Sequence, residues 1–355
     1  MQKNAKIFVA GHKGLVGSAI LKNLKSKGYN NFVLRTSAEL DLTDQAAVAA
    51  FFADEKPEYV FLAAAHVGGI VANSIYRADF IYLNMQIQNN VIYQSWKNGV
   101  RKLLFLGSTC IYPREASQPM REDCLLTSPL EYTNEPYAIA KIAGLKMCES
   151  FNLQYGTNFI AVMPTNLYGP NDNFNLEKSH VLPALIRKSH LGKCLKSGNI
   201  DAIRKDFDRY PVEGVDGQSS EVDILSKLTK YGITDKHITI WGTGKPTREF
   251  LWSEDMADAC VFVMENVDFP DLKGEGKEIR NCHINIGTGK EISIGELASL
   301  VACIVGYDGE LYFDVTKPDG TMKKLTNPSR LNALGWYHSM EINDGIKTLY
   351  NWYLS

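Results

Sequence analysis

The stretch VAGHKGLVGSAI, Val9 to Ile20, follows a short apolar run from Lys6 to Ala10 and carries glycines at 11, 14 and 17. A strand that ends in a glycine turn and reopens as a helix aims free backbone N–H groups at one point in space. That point attracts a diphosphate, through the positive end of the helix dipole and through close backbone approach. The spacing is GxxGxxG, one residue longer than the common dinucleotide fingerprint. Three glycines alone carry little, but the order strand, glycines, helix makes Gly11, Gly14 and Gly17, with Leu15 and Val16 between them, candidates for cofactor contact.

Outward from this turn the first half alternates strand and helix. Helical period runs from Leu15 to Lys27, and Phe32 to Leu34 predicts a second strand. Thr43 to Phe52 predicts a helix capped by Thr43 or Asp44. Tyr59 to Ala65 is an unbroken apolar run and predicts a third strand, followed by a long helix over Tyr76 to Lys97. A strand over Leu103 to Leu106, a helix over Tyr137 to Gln154 and a strand over Phe159 to Met163 complete the pattern. Continuous apolar strands separated by helices are covered on both faces. The pattern therefore predicts an α/β fold, a Rossmann-type doubly wound parallel sheet.

After NLYGP (Asn166 to Pro170) the regularity fades. Residues 193–237 are rich in charge and read as an irregular insertion. A helix over Ser253 to Glu265, a strand over His283 to Ile286 and a helix over Ile294 to Val305 predict a smaller α+β region.

The net charge of −2 gives no broad electrostatic footprint for nucleic acid or an anionic membrane. No apolar run approaches the length of a bilayer span, so a soluble, cytoplasmic protein is expected. The seven cysteines are odd in number and lack paired spacing, which reads as reduced thiols, with neither a disulfide framework nor a metal site. Cys148, Cys260 and Cys303 read as small apolar residues on the core faces of helices.

The end of the second strand separates the two nicotinamide cofactors. A free ribose 2′-hydroxyl favours an acid there, and a 2′-phosphate favours a base. Arg35 is followed by Thr36, with no acid before Glu39, which favours NADP over NAD. Asp41 and Leu42 are then placed against the adenine.

Tyr137 and Lys141 stand in YAIAK, four residues apart and so on one helix face. An ammonium beside a phenol favours the phenolate, which predicts a lowered Tyr137 pKa and a usable acid/base group. Ser108, at the carboxyl end of the fourth strand, is placed to donate to a substrate carbonyl oxygen. Cys110 lies two residues further, where catalytic groups gather.

The glycine motif, Ser108 and YAIAK resemble the extended short-chain dehydrogenase/reductases. AAAHVGGIVANSIYRADFIYLN, LGSTCIYP, TNEPYAIAKIAG, MPTNLYGPNDNF, SHVLPALIRK and WGTGKPTREFL resemble, within them, the GDP-L-fucose synthase family over almost the whole chain. The resemblance implies 3,5-epimerisation and NADPH-dependent 4-reduction of GDP-4-keto-6-deoxy-D-mannose. It implies Cys110 and His180 as the acid/base pair at C3 and C5, and Tyr137 as the proton donor to O4. It implies cofactor contacts from Ala63, Ala64, Lys141 and His180 and from the loop holding Pro164, Asn166 and Leu167. Substrate contacts fall to Asn166, Lys188, Trp241, Arg248, Asp319 and Lys324. It implies an NADP-binding domain over 1–170, rejoined at about 247–286, and a mainly substrate-binding domain over 171–246 and 287–355. It also implies a homodimer, built by pairing the Tyr76–Lys97 and Tyr137–Gln154 helices with their mates.

Two features depart from the family pattern. Residues 193–237 are longer than the corresponding loop and lie between Lys188 and Trp241, and His66 stands where many members carry lysine or another residue. Related enzymes act on GDP-4-keto-6-deoxy-heptoses for surface polysaccharide, some by reduction alone, which makes that reaction the alternative. Thr109 and Cys110 replace the carboxylate pair of the sugar-nucleotide 4,6-dehydratases, which disfavours elimination of water. A non-catalytic NADP-binding regulator is disfavoured by the presence of Ser108, Tyr137 and Lys141 together.

Overall fold

The computed structural model describes residues 1–274 and 276–355. Along the chain lie β1 (Ile7–Ala10), α1 (Leu15–Ser26), β2 (Phe32–Val33), α2 (Gln45–Glu55), β3 (Tyr59–Leu62), α3 (Ile70–Ile75), α4 (Arg77–Lys97), β4 (Lys102–Leu106), α5 (Glu135–Tyr155), β5 (Phe159–Pro164) and β6 (Asn166–Tyr168). There follow α6 (Val181–Lys196), α7 (Ile200–Arg209), α8 (Glu221–Lys230), β7 (His237–Trp241), β8 (Thr247–Arg248), β9 (Phe250–Trp252), α9 (Ser253–Asn266) and α10 (Phe269–Leu272). The chain ends with β10 (Ile284–Ile286), β11 (Ile292–Ser293), α11 (Ile294–Val305), β12 (Glu310–Asp314), β13 (Lys323–Lys324), α12 (Ser329–Ala333) and α13 (Ile342–Leu354).

Two compact units result, and the chain crosses between them several times. Unit 1 comprises Met1–Gly169, Glu249–Lys290 and Leu325–Met340; unit 2 comprises Pro170–Arg248, Glu291–Lys324 and Glu341–Ser355.

Unit 1 is built on a parallel sheet of order β10-β5-β4-β3-β1-β2. Alternation along the strands sends one set of side chains to each face. Ile7, Val9, Phe61, Leu104 and Ile160 pack beneath α1 and α9, against Ile20, Leu24, Met256 and Ala257. Phe8, Val60, Leu62, Leu103 and Phe105 pack on the other face against Phe52 of α2, Val91 and Ile92 of α4, and Leu145 of α5. Each buried Val, Leu, Ile, Met or Phe side chain among them contributes roughly 1.5–3 kcal/mol. The doubly wound α/β sheet expected from the sequence is the one observed. Asp44 caps α2, accepting from Ala46 N at 2.8 Å and Ala47 N at 3.0 Å. Tyr76 separates α3 from α4, so the long helix begins one residue later than its spacing suggested.

Residues 287–355 do not form one block. Leu325–Met340 joins unit 1, because Leu331 and Trp336 enter its core and Met120 pairs with this segment (Met120 N to Leu325 O, 2.7 Å; Asn327 N to Met120 O, 2.9 Å). Cys303 is exposed and off the core face expected for it, since α11 buries Leu297, Ala298, Val301 and Val305, while Cys148 and Cys260 are buried.

Residues 193–237 are ordered and not irregular. They complete α6 and form α7 and α8, whose Ile203, Phe207, Ile224 and Leu228 are buried with Leu191, Ile233, Ile238 and Tyr307 in the core of unit 2. Asn199 and Ser220 cap the two helices through their side chains. Phe207→Ala is expected to cost about 3–5 kcal/mol of unfolding free energy in a denaturant titration, the range for a buried aromatic; a loss under about 1 kcal/mol would return this segment to a dispensable surface loop.

Candidate active site

In open parallel sheets ligands bind beyond the carboxyl ends of the strands. The sequence-predicted residues of unit 1 lie there. Gly11 adopts φ +84°, and a Cβ on Gly17 would lie 2.1 Å from Gly11 O. A Cβ on Gly11 would meet Ala64 N at 2.8 Å, so the turn also abuts Ala63–Ala64 at the end of β3. Gly14 N donates to Gly11 O at 3.0 Å, and Gly14 then caps α1, whose first turn holds no acid to quench the dipole. This bare backbone cradle, with Leu15 and Val16 opening the helix, fits a dinucleotide.

At the end of β2, Arg35 Nη2 lies 2.5 Å from Glu55 Oε1 and the guanidinium sits 5.7 Å from the Phe51 ring centre. Glu39 accepts from Thr36 N and Oγ, each at 2.7 Å. Those bonds hold its carboxyl below the ordinary range, helped by Arg35 and Lys13. His12 Nδ1 is buried with no protein partner. Lys13 and His12 were missed in the sequence because both stand inside the glycine motif, where the backbone claims attention. Asp41 spends Oδ1 on a local turn with Thr43 N and Oγ1, at 2.9 and 2.7 Å, and Leu42 packs against the core.

The mouth of β4 carries the residues that the sequence offered as catalytic candidates. Ser108 caps a single 3-10 turn, Thr109–Ile111, its Oγ accepting from Cys110 N at 3.3 Å. Cys110 is 6% exposed. Lys141, 3% exposed, donates from Nζ to Leu106 O at 2.8 Å and lies 5.7 Å from the Tyr137 ring centre. Burial lowers the Lys141 pKa to about 8, and a negative Cys110 opposes that shift. The Tyr137 pKa is raised, by burial first and by Cys110 second. The expected lowering of this phenol by Lys141 is therefore not found: spacing revealed the ammonium but not the cost of taking a phenolate out of water.

Pro164 pairs with Ile286 at the end of β5, Asn166 Nδ2 donates to Glu249 O at 2.8 Å, and Leu167 pairs with Leu251. Glu249, unnoticed in the sequence, is fully buried; it accepts from Thr288 N at 2.6 Å, Gly289 N at 2.7 Å and Thr326 N at 2.9 Å.

The remaining candidates belong to unit 2. His180 occupies the N-cap of α6, and loss of water around the ring lowers its pKa, although the residue as a whole is exposed. Lys188 donates to Thr239 O at 2.8 Å, and burial takes its pKa to about 8. Trp241, 61% exposed, ends β7 with Lys317 Nζ 5.6 Å from its ring centre. Arg248 and Lys324 are register partners across β8 and β13. Asp319 binds Thr243 through N at 2.8 Å and Oγ1 at 2.7 Å, and its charge reaches Arg248. Lys188 of α6 thus reaches β7, which ends at Trp241, while Asp319 lies between Thr243 and Arg248, and Arg248 is in register with Lys324. Among the described residues no cluster suits a metal ion, and no helix is long and apolar enough to cross a membrane.

Rossmann sheets that set a tyrosine and a lysine one helical turn apart at a strand mouth, beside a dinucleotide turn, form a class of nucleotide-dependent redox enzymes, and this chain is one of them. It belongs to the NAD dependent epimerase/dehydratase family, whose model matches residues 7–207 and 213–287. GDP-L-fucose synthase 1 of Arabidopsis thaliana is 50% identical over 352 residues, covering 99% of this chain and 94% of that one. GDP-L-fucose synthase of Escherichia coli is 47% identical over 349 residues, covering 98% and 96%. A GDP-mannoheptose C4 reductase from Campylobacter jejuni, solved with NADP bound, is 48% identical with TM-score 0.88, covering 100% of both chains.

Below about pH 8 Lys141 is charged in both folded and unfolded states. Between about 8 and 10.5 the native side chain is neutral while the unfolded one still holds its proton, so this group's contribution to stability rises with pH across that window. Urea titrations of wild type and Lys141→Met from about pH 8 to about pH 10 should show the difference moving in favour of the wild type; a difference flat with pH would mean that Lys141 is solvated.

Proposed function

We propose that the chain is an NADPH-dependent epimerase/reductase that converts GDP-4-keto-6-deoxy-D-mannose to GDP-L-fucose. The observation that carries the reading is the grouping of Cys110 with Tyr137 and Lys141 at the mouth of β4, each within electrostatic reach of the thiol. The names borne by the relatives support the substrate.

NADPH when bound supplies the hydride for C4. Gly11, Gly14, Gly17, Ala63 and Ala64 would hold its dinucleotide, with Leu15, Val16, Asp41 and Leu42 alongside. Arg35, shared with Glu55, would take the 2′-phosphate with help from Lys13, a base where NAD would call for an acid. Pro164, Asn166, Leu167 and His180 would line its nicotinamide end. Asn166, Lys188, Trp241, Arg248, Asp319 and Lys324 would hold the GDP-sugar, the indole by packing and the cations by the diphosphate.

The 4-keto group acidifies the protons on C3 and C5. Cys110 and His180 remove a proton from one face of the sugar and return one on the other. The depressed His180 pKa keeps the imidazole neutral and able to accept. Ser108 donates to O4, and Tyr137 supplies the proton that the O4 oxyanion takes up. A raised phenol pKa keeps that proton in place until an alkoxide forms. Lys141 orients the phenol and the ribose. Unit 1 is thus the cofactor domain and unit 2 the substrate domain.

We place the enzyme in the cytoplasm, where its free cysteines stay reduced. It is proposed to act as a homodimer through α4 and α5, which leave Tyr82, Ile139 and Leu153 exposed. A second reading, C4 reduction of a GDP-4-keto-6-deoxy-heptose for surface polysaccharide, is favoured by the likeness to the Campylobacter jejuni reductase.

One experiment separates the two. NADPH is supplied with each keto sugar in deuterated water and the product is read by NMR. Ring deuterium at C3 and C5 with inversion is expected from the mannose derivative; turnover of the heptose alone, without ring deuterium, would overturn the first reading. Cys110→Ser should reduce without inverting, and Tyr137→Phe should lower NADPH oxidation by roughly 10²–10⁴-fold, the usual worth of a positioned acid.

A further inference from the structure

Arg187 is fully buried on α6, two turns beyond His180. Its guanidinium donates in three directions. Nε and Nη2 reach Asp206 Oδ1 of α7 at 2.9 and 2.7 Å, Nη1 reaches Phe174 O at 3.0 Å, and Nη2 reaches Tyr210 O at 2.6 Å. The second oxygen of Asp206 accepts from the Tyr353 hydroxyl of α13. Phe174 is itself buried, its ring centre 4.9 Å from that of Tyr353 and 5.6 Å from that of Tyr210.

The geometry has a consequence for His180. The chain leaves Phe174, whose carbonyl is tied to α6 through Arg187, and returns as the N-cap of the same helix. Between these ends Asn175 Oδ1 accepts from Glu177 N at 2.9 Å and Lys178 N at 3.1 Å, and Ser179 N donates to Asn175 O at 2.9 Å. A six-residue return pinned at both ends and braced inside keeps few conformations, and His180 is its last residue.

We infer that the buried Arg187–Asp206 pair is a positioning device for His180, and that α7 and the C-terminal helix exist in part to hold it. Arg187, Asp206 and Tyr353 act through His180 and are assigned no contact with the sugar. The inference rests on the reading of His180 as an acid/base group. A buried ion pair is a poor stabiliser beside an apolar replacement of the same volume, so its worth lies in direction. The planar fork fixes a carboxylate and two carbonyls at once, which an apolar cluster does not. Proton transfer at carbon needs such placement, since a shift of about 1 Å can cost about 10²-fold.

The test measures a partition: the share of alcohol product formed without inversion and ring deuterium at C3 and C5, in deuterated water with NADPH. This ratio is insensitive to the fraction of enzyme that is folded. Asp206→Asn is expected to raise the uninverted share about tenfold or more, and Tyr353→Phe, which removes one hydrogen bond, by a smaller factor. Ile224→Ala, a cavity in the same core away from the pair, should lower the melting temperature and leave the partition unchanged. His180→Asn separates the role of His180 from the way it is positioned. If His180→Asn leaves exchange intact, the role given to His180 is wrong. If it abolishes exchange while Asp206→Asn and Tyr353→Phe keep the wild-type partition, the positioning inference is overturned. Should Asp206→Asn fail to fold, Tyr353→Phe decides alone.

Discussion

The contact on which unit 1 depends is the hydrogen bond from the Lys141 ammonium to the Leu106 carbonyl, 2.8 Å long and nearly closed to solvent. It ties α5 to the carboxyl end of β4, the strand end from which Ser108 and Cys110 project. A helix can press this close only where it lacks a side chain. At Gly144 a Cβ would stand 2.5 Å from the Phe105 ring and 2.8 Å from Gln88 Oε1. Gln88 in turn donates to Ala140 O at 2.6 Å, fixing α4 to the same turn of α5. One buried cation with one strong acceptor is incompletely compensated, and the depressed Lys141 pKa is the measure of that deficit.

The same trade recurs across the molecule in forms that differ by charge. Glu249 is a buried anion satisfied by backbone amides and the Thr326 hydroxyl, and it joins two of the three segments of unit 1. Lys102 is a buried cation that caps the end of α9, reaching Val263 O at 3.0 Å and Met264 O at 3.1 Å. In each case a polar head fixes backbone that no apolar contact orients, which is how strand and helix ends are held in register with one another.

Much of this was legible in residue order. Apolar runs such as Tyr59–Leu62, set between helical periods, announce a covered parallel sheet, and Gly11 and Gly17 announce the turn that only bare backbone can make. Cys110 stood out because it lies just past a strand. Other features were hidden for physical reasons. In α7 and α8 the apolar pairs Ile203/Phe207 and Ile224/Leu228 have helical spacing, and Asn199 and Ser220 mark the starts, but the surrounding charge hid a signal that was present. The return of Leu325–Met340 to unit 1 left no local trace, since it rests on pairing with Met120 far along the chain. The sign of the Tyr137 shift was unreadable because spacing reports neighbours and not the loss of water. Arg187 looked like any helical arginine, because nothing local says that it is buried.

The outer strand of the main sheet, β10, has a consequence for the newborn chain. It pairs with β5 at Ile284↔Val162, and the residues between them include the whole first stretch of unit 2, Pro170–Arg248. During synthesis the earlier strands therefore emerge from the ribosome with β5 as an open edge, a ready template for illegitimate pairing. That edge stays uncovered until translation has passed Ile286. The sheet thus stays unfinished for the whole time the intervening helices are being made.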